Sequence, residues 1–270
     1  MSPERDDDIF VYAEMTPAEI ARYFDEGGDL AVIPIGSIEQ HGPAFPLGDD
    51  GYFSLAIARE VARLSGGVVL PMVDFSWVGC TNHFPGGIGV REHVFIDYLR
   101  DVVRAVRAAG FGRIVVVNGH GGNFYAMRTF PDRMLREDGI VVLTTFTYAG
   151  SAEAAEARRG TGEGSGTLGA LRMLGREDMV KETIDRTRAA VEEFGDEIRP
   201  EQEPGSYRGA SALGLLGHDY YHECRHVAPS SRLDPAAGEA AMRAAARHIA
   251  DALPALSRHV ATVAGGGARA

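Results

Sequence analysis

The sequence predicts an α/β fold with a mostly parallel central sheet covered by helices on both faces. Short, continuous apolar runs alternate along the chain with segments whose apolar residues recur at helical spacing. A continuous apolar run is typical of a strand that is buried on both faces, as in parallel sheets. Alternation of such strands with helices favours one sheet packed between two helical layers.

Four segments are predicted as strands. They are LAVIPIG at 30–36, VVLPMV at 68–73, RIVVVN at 113–118 and IVVLTTFT at 140–147. The run at 113–118 is the clearest, and a glycine-rich turn follows it directly. In open parallel sheets, ligands bind beyond the carboxyl ends of the strands, so the polar residues after 30–36 and 113–118 become candidates for a site.

Helices are predicted between these strands from capping signals and from apolar spacing. Thr16-Pro17-Ala18-Glu19 is a capping box with Pro at the first helical position. Asp234-Pro235 is an N-cap and N1 pair that opens an Ala-rich helix, expected to reach about Leu253. The remaining predicted helices rest on Phe53, Ile57, Val61 and Leu64 before Gly66-Gly67, on Phe95, Leu99, Val102, Val103 and Val106 before Gly110, and on Leu168, Leu171 and Leu174.

A single domain is expected over residues 9–263 of the 270-residue chain. Residues 1–8 are polar and acidic and residues 264–270 have no apolar pattern, so both ends are expected to be disordered. Residues 195–230 are irregular, with Pro, Gly and several His, and are expected to form a functional excursion or lid.

The composition argues against nucleic acid and membranes as partners, and it bears on the expected cell compartment. The formal net charge of −11 argues against binding to nucleic acid or to an anionic membrane surface, because both favour a basic face. No apolar run reaches the roughly 20 residues of a membrane span, and the N-terminus lacks a signal-peptide pattern. A cytoplasmic location is therefore expected. Cys80 and Cys224 are too few for a disulfide framework and are expected to be reduced thiols.

Carboxylates and imidazoles follow two of the predicted strands. Glu39 and His41, in GSIEQHG, are two residues apart, so at extended spacing both side chains point to the same side. Asp50 returns after a Gly- and Pro-rich loop, and His120 lies in NGHGGN, where glycines let the backbone approach a ligand closely. Mixed carboxylate and imidazole ligands suit Zn, Mn or Fe(II). A metal site is the hypothesis, although each residue alone could be an ordinary loop residue.

These segments resemble motifs of the creatininase (creatinine amidohydrolase) family. GSIEQHGPAFPLGDD is similar to the opening motif GSxEQHGPHLPLxxD, and NGHGGN matches the second motif residue for residue. NHFPGGI at 82–88 is similar to the H-x-FPGT signature, and RRGTGEGSGT at 158–167 resembles the HAGExET-type segment. The resemblance covers about residues 15–180, with a fainter likeness at DPAAGEA.

The resemblance implies a three-layer α/β/α fold, a homo-oligomer (trimer or hexamer) and two divalent metal ions per chain. In such a site, Glu39 and His120 would hold one ion, His41 would hold the other, and Asp50 would bridge the two. Some members place a Glu two residues after the second His, but this chain has Gly122 there. Glu163 is the expected substitute, with Glu153 and Glu156 as competitors.

The chain departs from the family pattern at two histidines, which are replaced by Ala44 and by Gly160. The second is the proton carrier in creatinine ring opening, so a substrate other than creatinine is expected, and another group must donate the proton. The candidates are His83 first, then His222 and His218. The histidines of GHDYYHECRH share a helix face by spacing, so a solvated or inter-subunit face is the alternative for His218 and His222.

The expected function is hydrolysis of a C–N bond in a small metabolite by water activated at two ions. Substrate contacts are expected from Trp77, Gly121, Gly122 and Asn123, although Trp77 could equally be an ordinary core aromatic. Three alternatives stay open. They are a peptidase acting on a ribosomal peptide during cofactor maturation of the mycofactocin type, hydrolytic ring opening of a cyclic ketone, and a metal-holding oligomer without catalysis.

Overall fold

A computed structural model describes residues 9–83, 85–146, 163–194 and 233–266. In these ranges, five strands form one sheet in which every pairing is parallel, as the sequence predicts. In the spatial order β1-β3-β2-β4-β5, the strands are β1 (Phe10–Val11), β3 (Val68–Val69), β2 (Leu30–Ile35), β4 (Arg113–Asn118) and β5 (Val142–Phe146).

The central pair, β2 and β4, is in register along its whole length, from Leu30 opposite Arg113 to Ile35 opposite Asn118. All six residues of β2 are buried, which explains the continuous apolar run in its sequence. Because the two strands are parallel and end side by side, the loops that follow them emerge at the same edge of the sheet. That edge carries the polar motifs.

Eight α-helices lie in the described parts of the chain. They are α1 (Pro17–Asp25), α2 (Asp49–Ser65), α3 (Glu92–Ala108), α4 (Gly121–Ala126), α5 (Phe130–Asp138), α6 (Glu163–Met173), α7 (Glu177–Phe194) and α8 (Pro235–Gly266). Short 3₁₀ turns occur at Tyr12–Glu14 and Gly79–His83. None of the helices in these ranges has a stretch apolar and long enough to cross a membrane.

Two hydrophobic cores lie on opposite faces of the sheet. One contains Ile33 and Val116 of the sheet together with buried residues of α1, α3 and α5. The other contains Val32 and Val115 together with buried residues of α2 and α8. Neighbouring residues of β2 and β4 therefore point into different cores, and helices cover both faces. This is the expected three-layer α/β/α arrangement.

The predicted helix starts are confirmed by their caps. Thr16 and Glu19 form the reciprocal capping box, with the Thr16 N–H donating to Glu19 Oε2 at 2.8 Å. The Ala237 N–H donates to Asp234 Oδ1 at 2.9 Å at the start of α8. The end of α8 differs from expectation, because the helix continues through Pro254 to Gly266. Residues 264–266, expected in a disordered tail, therefore belong to this helix.

The predicted strand at 68–73 is shorter than expected. Only Val68–Val69 forms a ladder, and pairing returns as a single bridge between Val73 and Ile35. Pro71 lies between them and has no N–H to donate. The segment nonetheless follows β2, since the N–H of Leu70 donates to Val32 O and that of Val73 to Pro34 O.

Candidate metal centre

Four buried side chains converge at the carboxyl edge of the β2–β4 pair. Glu39 and His41 lie in the loop after β2, Asp50 is the second residue of α2, and His120 follows β4. Each side chain belongs to a residue that is at most 6% exposed. Charged and titratable groups are rarely buried to this degree unless they are paired or bind a metal.

The two carboxylates and two imidazoles lie within a few ångströms of one another. His120 Nδ1 lies 2.9 Å from Asp50 Oδ2 and 3.1 Å from Glu39 Oε1. His41 Nε2 lies 3.4 Å from Asp50 Oδ1 and 3.7 Å from Glu39 Oε1. The two oxygens of Asp50 therefore face different histidines. Ligand atoms of Glu39, Asp50 and His120 all lie within 4.8 Å of one another, which is the spacing of a metal-binding group.

The backbone beneath these side chains is packed too closely to accommodate a Cβ. A Cβ on Gly119 would lie 2.0 Å from the carbonyl oxygen of Asp50, and one on Gly36 would lie 2.5 Å from the Cα of Gly51. These glycines let the ends of β2 and β4 lie directly against the first turn of α2. The close packing places Asp50 between the two strand ends.

Buried polar side chains fix the loops that carry the cluster. The Ser37 hydroxyl donates to Asp50 Oδ2 at 2.6 Å. Asn118 binds the backbone of His120 in both directions, donating to its carbonyl at 2.8 Å and accepting from its N–H at 3.3 Å. Asn123 is fully buried and donates to Gly36 O and to Asn118 Oδ1. These bonds connect the loop after β2 to the loop after β4.

Protonation in the metal-free protein reflects the same geometry. Burial alone would raise the pKa of Asp50, but hydrogen bonds from His120 and His41, with their charges, hold it below its ordinary value. Burial likewise disfavours the charged form of His120, but hydrogen bonds to Asp50 and Glu39 raise its pKa to about 10. A positive charge is thus favoured between the two carboxylates. A divalent cation bound there would neutralise their negative charge.

The donor set fits a catalytic metal centre. It combines imidazole and carboxylate ligands without thiolates, as do sites for zinc, manganese or iron. Among the described residues, neither Glu39 nor Asp50 forms an ion pair with Lys or Arg, so neither of those side chain types occupies the place of an ion.

Of the other predicted ligands and proton donors, Glu163 and His83 lie in the described part of the chain. Glu163 is the first residue of α6, and Thr167 of the same helix donates to Asp49 Oδ2 at 3.0 Å. His83 is the last residue of the 3₁₀ turn at Gly79–His83. His218, His222, Glu153, Glu156 and Gly160 lie outside the described residues.

The four residues predicted to contact substrate differ in exposure and in what they pack against. Gly121 is exposed at the start of α4, whereas Asn123 is fully buried. A Cβ on Gly122 would lie 2.4 Å from His120 Nε2, so a side chain there would displace the imidazole. The Trp77 ring packs against the core on the α3 face, and its carbonyl oxygen lies 3.1 Å from His120 Nε2.

Sequence reasoning missed two hydroxyl groups that contact the carboxylates. Ser37 lies inside the opening motif, two residues before Glu39, and could have been found from that position. The Thr81 hydroxyl donates to Glu39 Oε2, but Thr81 is distant in sequence and belongs to no spacing pattern with the ligands.

Comparison with known proteins identifies the family. The sequence profile described as Creatininase: Creatinine amidohydrolase matches residues 13–253, which is most of the chain. The chain belongs to the creatininase family. The matched range includes all four residues of the buried cluster.

Curated relatives match this creatininase-family chain over shorter segments. They include a 3-dehydro-scyllo-inosose hydrolase of Thermotoga maritima, 36% identical over 36% of this chain and 31% of its own length. A creatinine amidohydrolase of Pseudomonas putida is 28% identical over 48% of this chain and 51% of its own. A mycofactocin precursor peptide peptidase of Mycolicibacterium smegmatis is 35% identical over 36% and 42%. The chain thus spans about half or less of these relatives.

Solved structures share the fold. A crystal structure of creatinine amidohydrolase superposes with a TM-score of 0.71 at 21% identity, covering 92% of this chain and 98% of that one. A Zn–Zn form of a creatininase variant superposes with a TM-score of 0.70 at 20% identity, with the same coverage. The three-layer fold predicted from the sequence is confirmed.

Proposed function

We propose that this chain is a metal-dependent hydrolase that cleaves the C–N bond of an amide, cyclic amide or formamide in a small metabolite. The observation that carries the proposal is the buried cluster of Glu39, His41, Asp50 and His120 at the carboxyl edge of the sheet. Membership of the creatininase family supports it, as does the Pseudomonas putida relative named as an amidohydrolase.

The contacts support a division of the four residues between two ions. Glu39 and His120 would hold one ion, since Glu39 Oε1 and His120 Nδ1 lie 3.1 Å apart. His41 would hold the other, and Asp50 would bridge them, because its two oxygens face different histidines. A Zn–Zn form among the structural neighbours supports two ions of this kind.

Glu163 remains our proposal for the fifth ligand. It opens α6, and two contacts hold the start of α6 near the cluster. Thr167, one helical turn later, donates to Asp49, the neighbour of the bridging Asp50. Gly164 packs so closely on Phe45, in the loop between His41 and Asp50, that a Cβ there would lie 2.5 Å from the ring.

Divalent ions such as Zn²⁺, Mn²⁺ or Fe²⁺ at this site would supply a water of lowered pKa and a Lewis acid for the substrate carbonyl. The protein's own contribution is burial, charge and orientation. Burial of all four side chains excludes bulk water, and the charges of Glu39 and Asp50 favour cation binding. A nearby acid must then give a proton to the leaving nitrogen.

His83 is the first candidate for this proton donor. It ends the 3₁₀ turn that also contains Thr81, whose hydroxyl contacts Glu39, so its backbone lies near the cluster. We expect His83→Ala to lower kcat by roughly 10²–10⁴-fold on a confirmed substrate while both ions stay bound. His93, exposed on α3, provides the matched control, and His93→Ala should leave kcat unchanged.

Near wild-type kcat in His83→Ala would reject His83 and move the test to His222 and then His218. Should all three variants be active, Glu163 or a bound water must be the donor, or the leaving group needs no proton. The last outcome would favour opening of a cyclic ketone ring.

Two relatives suggest other classes of substrate for this chain, and both are included in the test. The inosose hydrolase supports a ketone-ring substrate, and the mycofactocin peptidase supports a peptide. We would assay metal-replete protein on amides, formamides, cyclic ketones and short peptides, and compare it with metal-stripped protein. Metal-dependent cleavage of a formamide or cyclic amide is the expected result. Cleavage of peptides alone would contradict the proposal, and no turnover of any class would favour the non-catalytic oligomer, whose assembly state remains a prediction.

A further inference from the structure

The segment from Ser76 to Thr81 contacts the proposed metal site at three points, two on ligands and one on the backbone that leads to them, although it contains none of the proposed ligands. It leaves the sheet after the Val73 bridge and ends in the 3₁₀ turn at Gly79–His83. Along this segment, a side chain, a backbone carbonyl and a second side chain each contact one of the loops that carry ligands.

The first contact holds the end of β2. The Ser76 hydroxyl is fully buried and donates to Gly36 O at 2.7 Å. Gly36 also donates its N–H to Val73 O at 3.0 Å. The residue that begins the GSIEQHG loop is therefore bound from both sides before the chain reaches Glu39.

The second contact sets the orientation of His120. A backbone carbonyl can only accept, so His120 Nε2, 3.1 Å from Trp77 O, carries the hydrogen. Nδ1 is then the nitrogen that faces Glu39 and Asp50. The Trp77 ring packs against the core, which holds this carbonyl in place. A metal-binding histidine commonly donates its other N–H to such a partner, which fixes the tautomer.

The third contact orients Glu39. The Thr81 hydroxyl contacts Glu39 Oε2 and lies 2.9 Å from Val78 O, while Glu39 Oε1 faces both histidines. Thr81 is buried, so water does not compete readily for this bond. The hydroxyl holds one carboxylate oxygen and leaves the other directed at the cluster.

We propose that the segment Ser76–Thr81 is a positioning element for the metal centre, in which Thr81 orients Glu39 and the Trp77 carbonyl selects Nδ1 of His120 as the metal-binding nitrogen. This inference rests on the proposed metal site. It adds that the affinity for the Glu39–His120 ion depends on a hydroxyl that is not a ligand.

The test compares Thr81→Val, which keeps the shape but removes the hydroxyl, with Thr81→Ser, which keeps the hydroxyl. Zn²⁺ affinity is measured by competition with a chromophoric chelator. We expect Thr81→Val to raise the Kd of the Glu39–His120 ion by about 10–100-fold, the usual effect of losing a partner of a ligand, and Thr81→Ser to restore most of it. Thr187→Val is the control, since the buried Thr187 hydroxyl donates within its own helix α7, to Thr183 O at 2.8 Å.

An unchanged Zn²⁺ Kd in Thr81→Val would overturn the role of Thr81, and a weakened Kd that Thr81→Ser fails to restore would do the same. If the wild-type protein binds no Zn²⁺, the proposed metal site itself has failed. That result differs from one in which wild type and Thr81→Val bind Zn²⁺ equally, which rejects the positioning role alone.

A second measurement is made on the wild-type protein and needs a variant only to assign one signal. Nitrogen NMR of Zn²⁺-loaded wild-type protein labelled at histidine distinguishes a metal-bound Nδ1 from a metal-bound Nε2. We expect His120 to retain its hydrogen on Nε2 and to bind the ion through Nδ1, with His120→Gln used to assign the signal. A hydrogen on Nδ1 with Nε2 bound to the ion would contradict the role of the Trp77 carbonyl.

Discussion

His120 and His41 approach the same two carboxylates, but from different loops and in different surroundings. On the side that we call the His120 side, formed by Glu39, Asp50 and His120, the imidazole lies 2.9–3.1 Å from the carboxylates. Its other ring nitrogen lies 3.1 Å from Trp77 O. His41 lies farther from the same carboxylates, at 3.4 and 3.7 Å.

From this comparison we infer that the two proposed metal positions differ in affinity. The His120 side has the shorter imidazole–carboxylate distances, and the Thr81 hydroxyl and the Trp77 carbonyl contact its ligands. His41 Nδ1 also faces a backbone carbonyl, Glu39 O, at 3.3 Å, but its other nitrogen lies farther from the carboxylates. The other position depends on His41, on the shared Asp50 and on our proposed Glu163. We therefore expect the first ion to bind more tightly on the His120 side.

The largest effect should come from the residue that both positions share. Asp50→Asn removes the charge of the carboxylate that contacts both histidines, so we expect the loss of both ions. Metal content is measured after chelation, reconstitution with Zn²⁺ or Mn²⁺ and dialysis. Glu60→Gln is a matched control on the same helix, because Glu60 is buried and pairs with Arg63 and Arg243 rather than with the metal-site histidines. Retention of two ions by Asp50→Asn would exclude a bridging role.

The next test separates the two positions directly. His120→Ala should abolish the tighter of two binding phases in titration calorimetry, whereas His41→Ala should remove the weaker phase and leave the tighter one. Loss of a ligand should raise Kd by more than the roughly 10–100-fold seen for an outer partner. If His41→Ala instead removed the tighter phase, the comparison would be reversed.

A smaller effect is expected from Glu163, which would serve only the His41 position. Glu163→Ala should lower the metal content from two ions towards one per chain and leave the tighter binding phase intact. Glu177→Ala is a suitable control, because Glu177 is an exposed acid in the first turn of α7. Full occupancy and activity in Glu163→Ala would reject Glu163 as a ligand, and Glu153 and Glu156 would be tested next.

The sequence predicts those elements of the fold whose burial leaves a clear apolar pattern. The strands at 30–35 and 113–118 are buried on both faces, so their continuous apolar runs identify them, and the ligand motifs begin where the runs end. The strand at Phe10–Val11 has only two residues, too few for any pattern. The helix α8 passes through Pro254, where local propensity predicts an end, because its apolar face continues into the core with Leu256.

The contacts that orient the ligands could not be predicted from the sequence. Trp77 acts through its carbonyl, which every residue has, so no residue type marks it. Thr81 reaches Glu39 across 42 positions in the chain, and only the three-dimensional path of the segment brings them together. Asn123 is predicted to contact substrate, and the structure adds that its side-chain N–H group donates to Gly36 and Asn118 in the interior, contacts that no motif specifies. Motifs identify ligands, whereas the groups that position them depend on packing.

The smallest effect concerns the stability of the metal-free protein. The pKa of His120 is raised to about 10 by its bonds to Asp50 and Glu39, whereas an unfolded histidine titrates near ~6.5. The folded state therefore binds this proton more tightly than the unfolded state does. The stabilisation is fully present below pH ~6.5, and it is lost as pH rises through the folded pKa. We expect the Tm of metal-free protein to fall across this interval, by about 2–4 °C for each kcal/mol of stabilisation that is lost in a domain of this size.

The metal-loaded protein supplies the control for this pH dependence. An ion bound to Nδ1 of His120 excludes the proton from that nitrogen, so the decline in Tm that His120 causes should disappear when Zn²⁺ saturates the site. His120→Gln in the metal-free state should remove it as well, because glutamine does not titrate. If the metal-free wild type and His120→Gln lost stability equally above neutral pH, the proton would not be held on His120. The short contacts on the His120 side would then not stabilise a positive charge. The expected difference in metal affinity between the two positions would lose its electrostatic explanation.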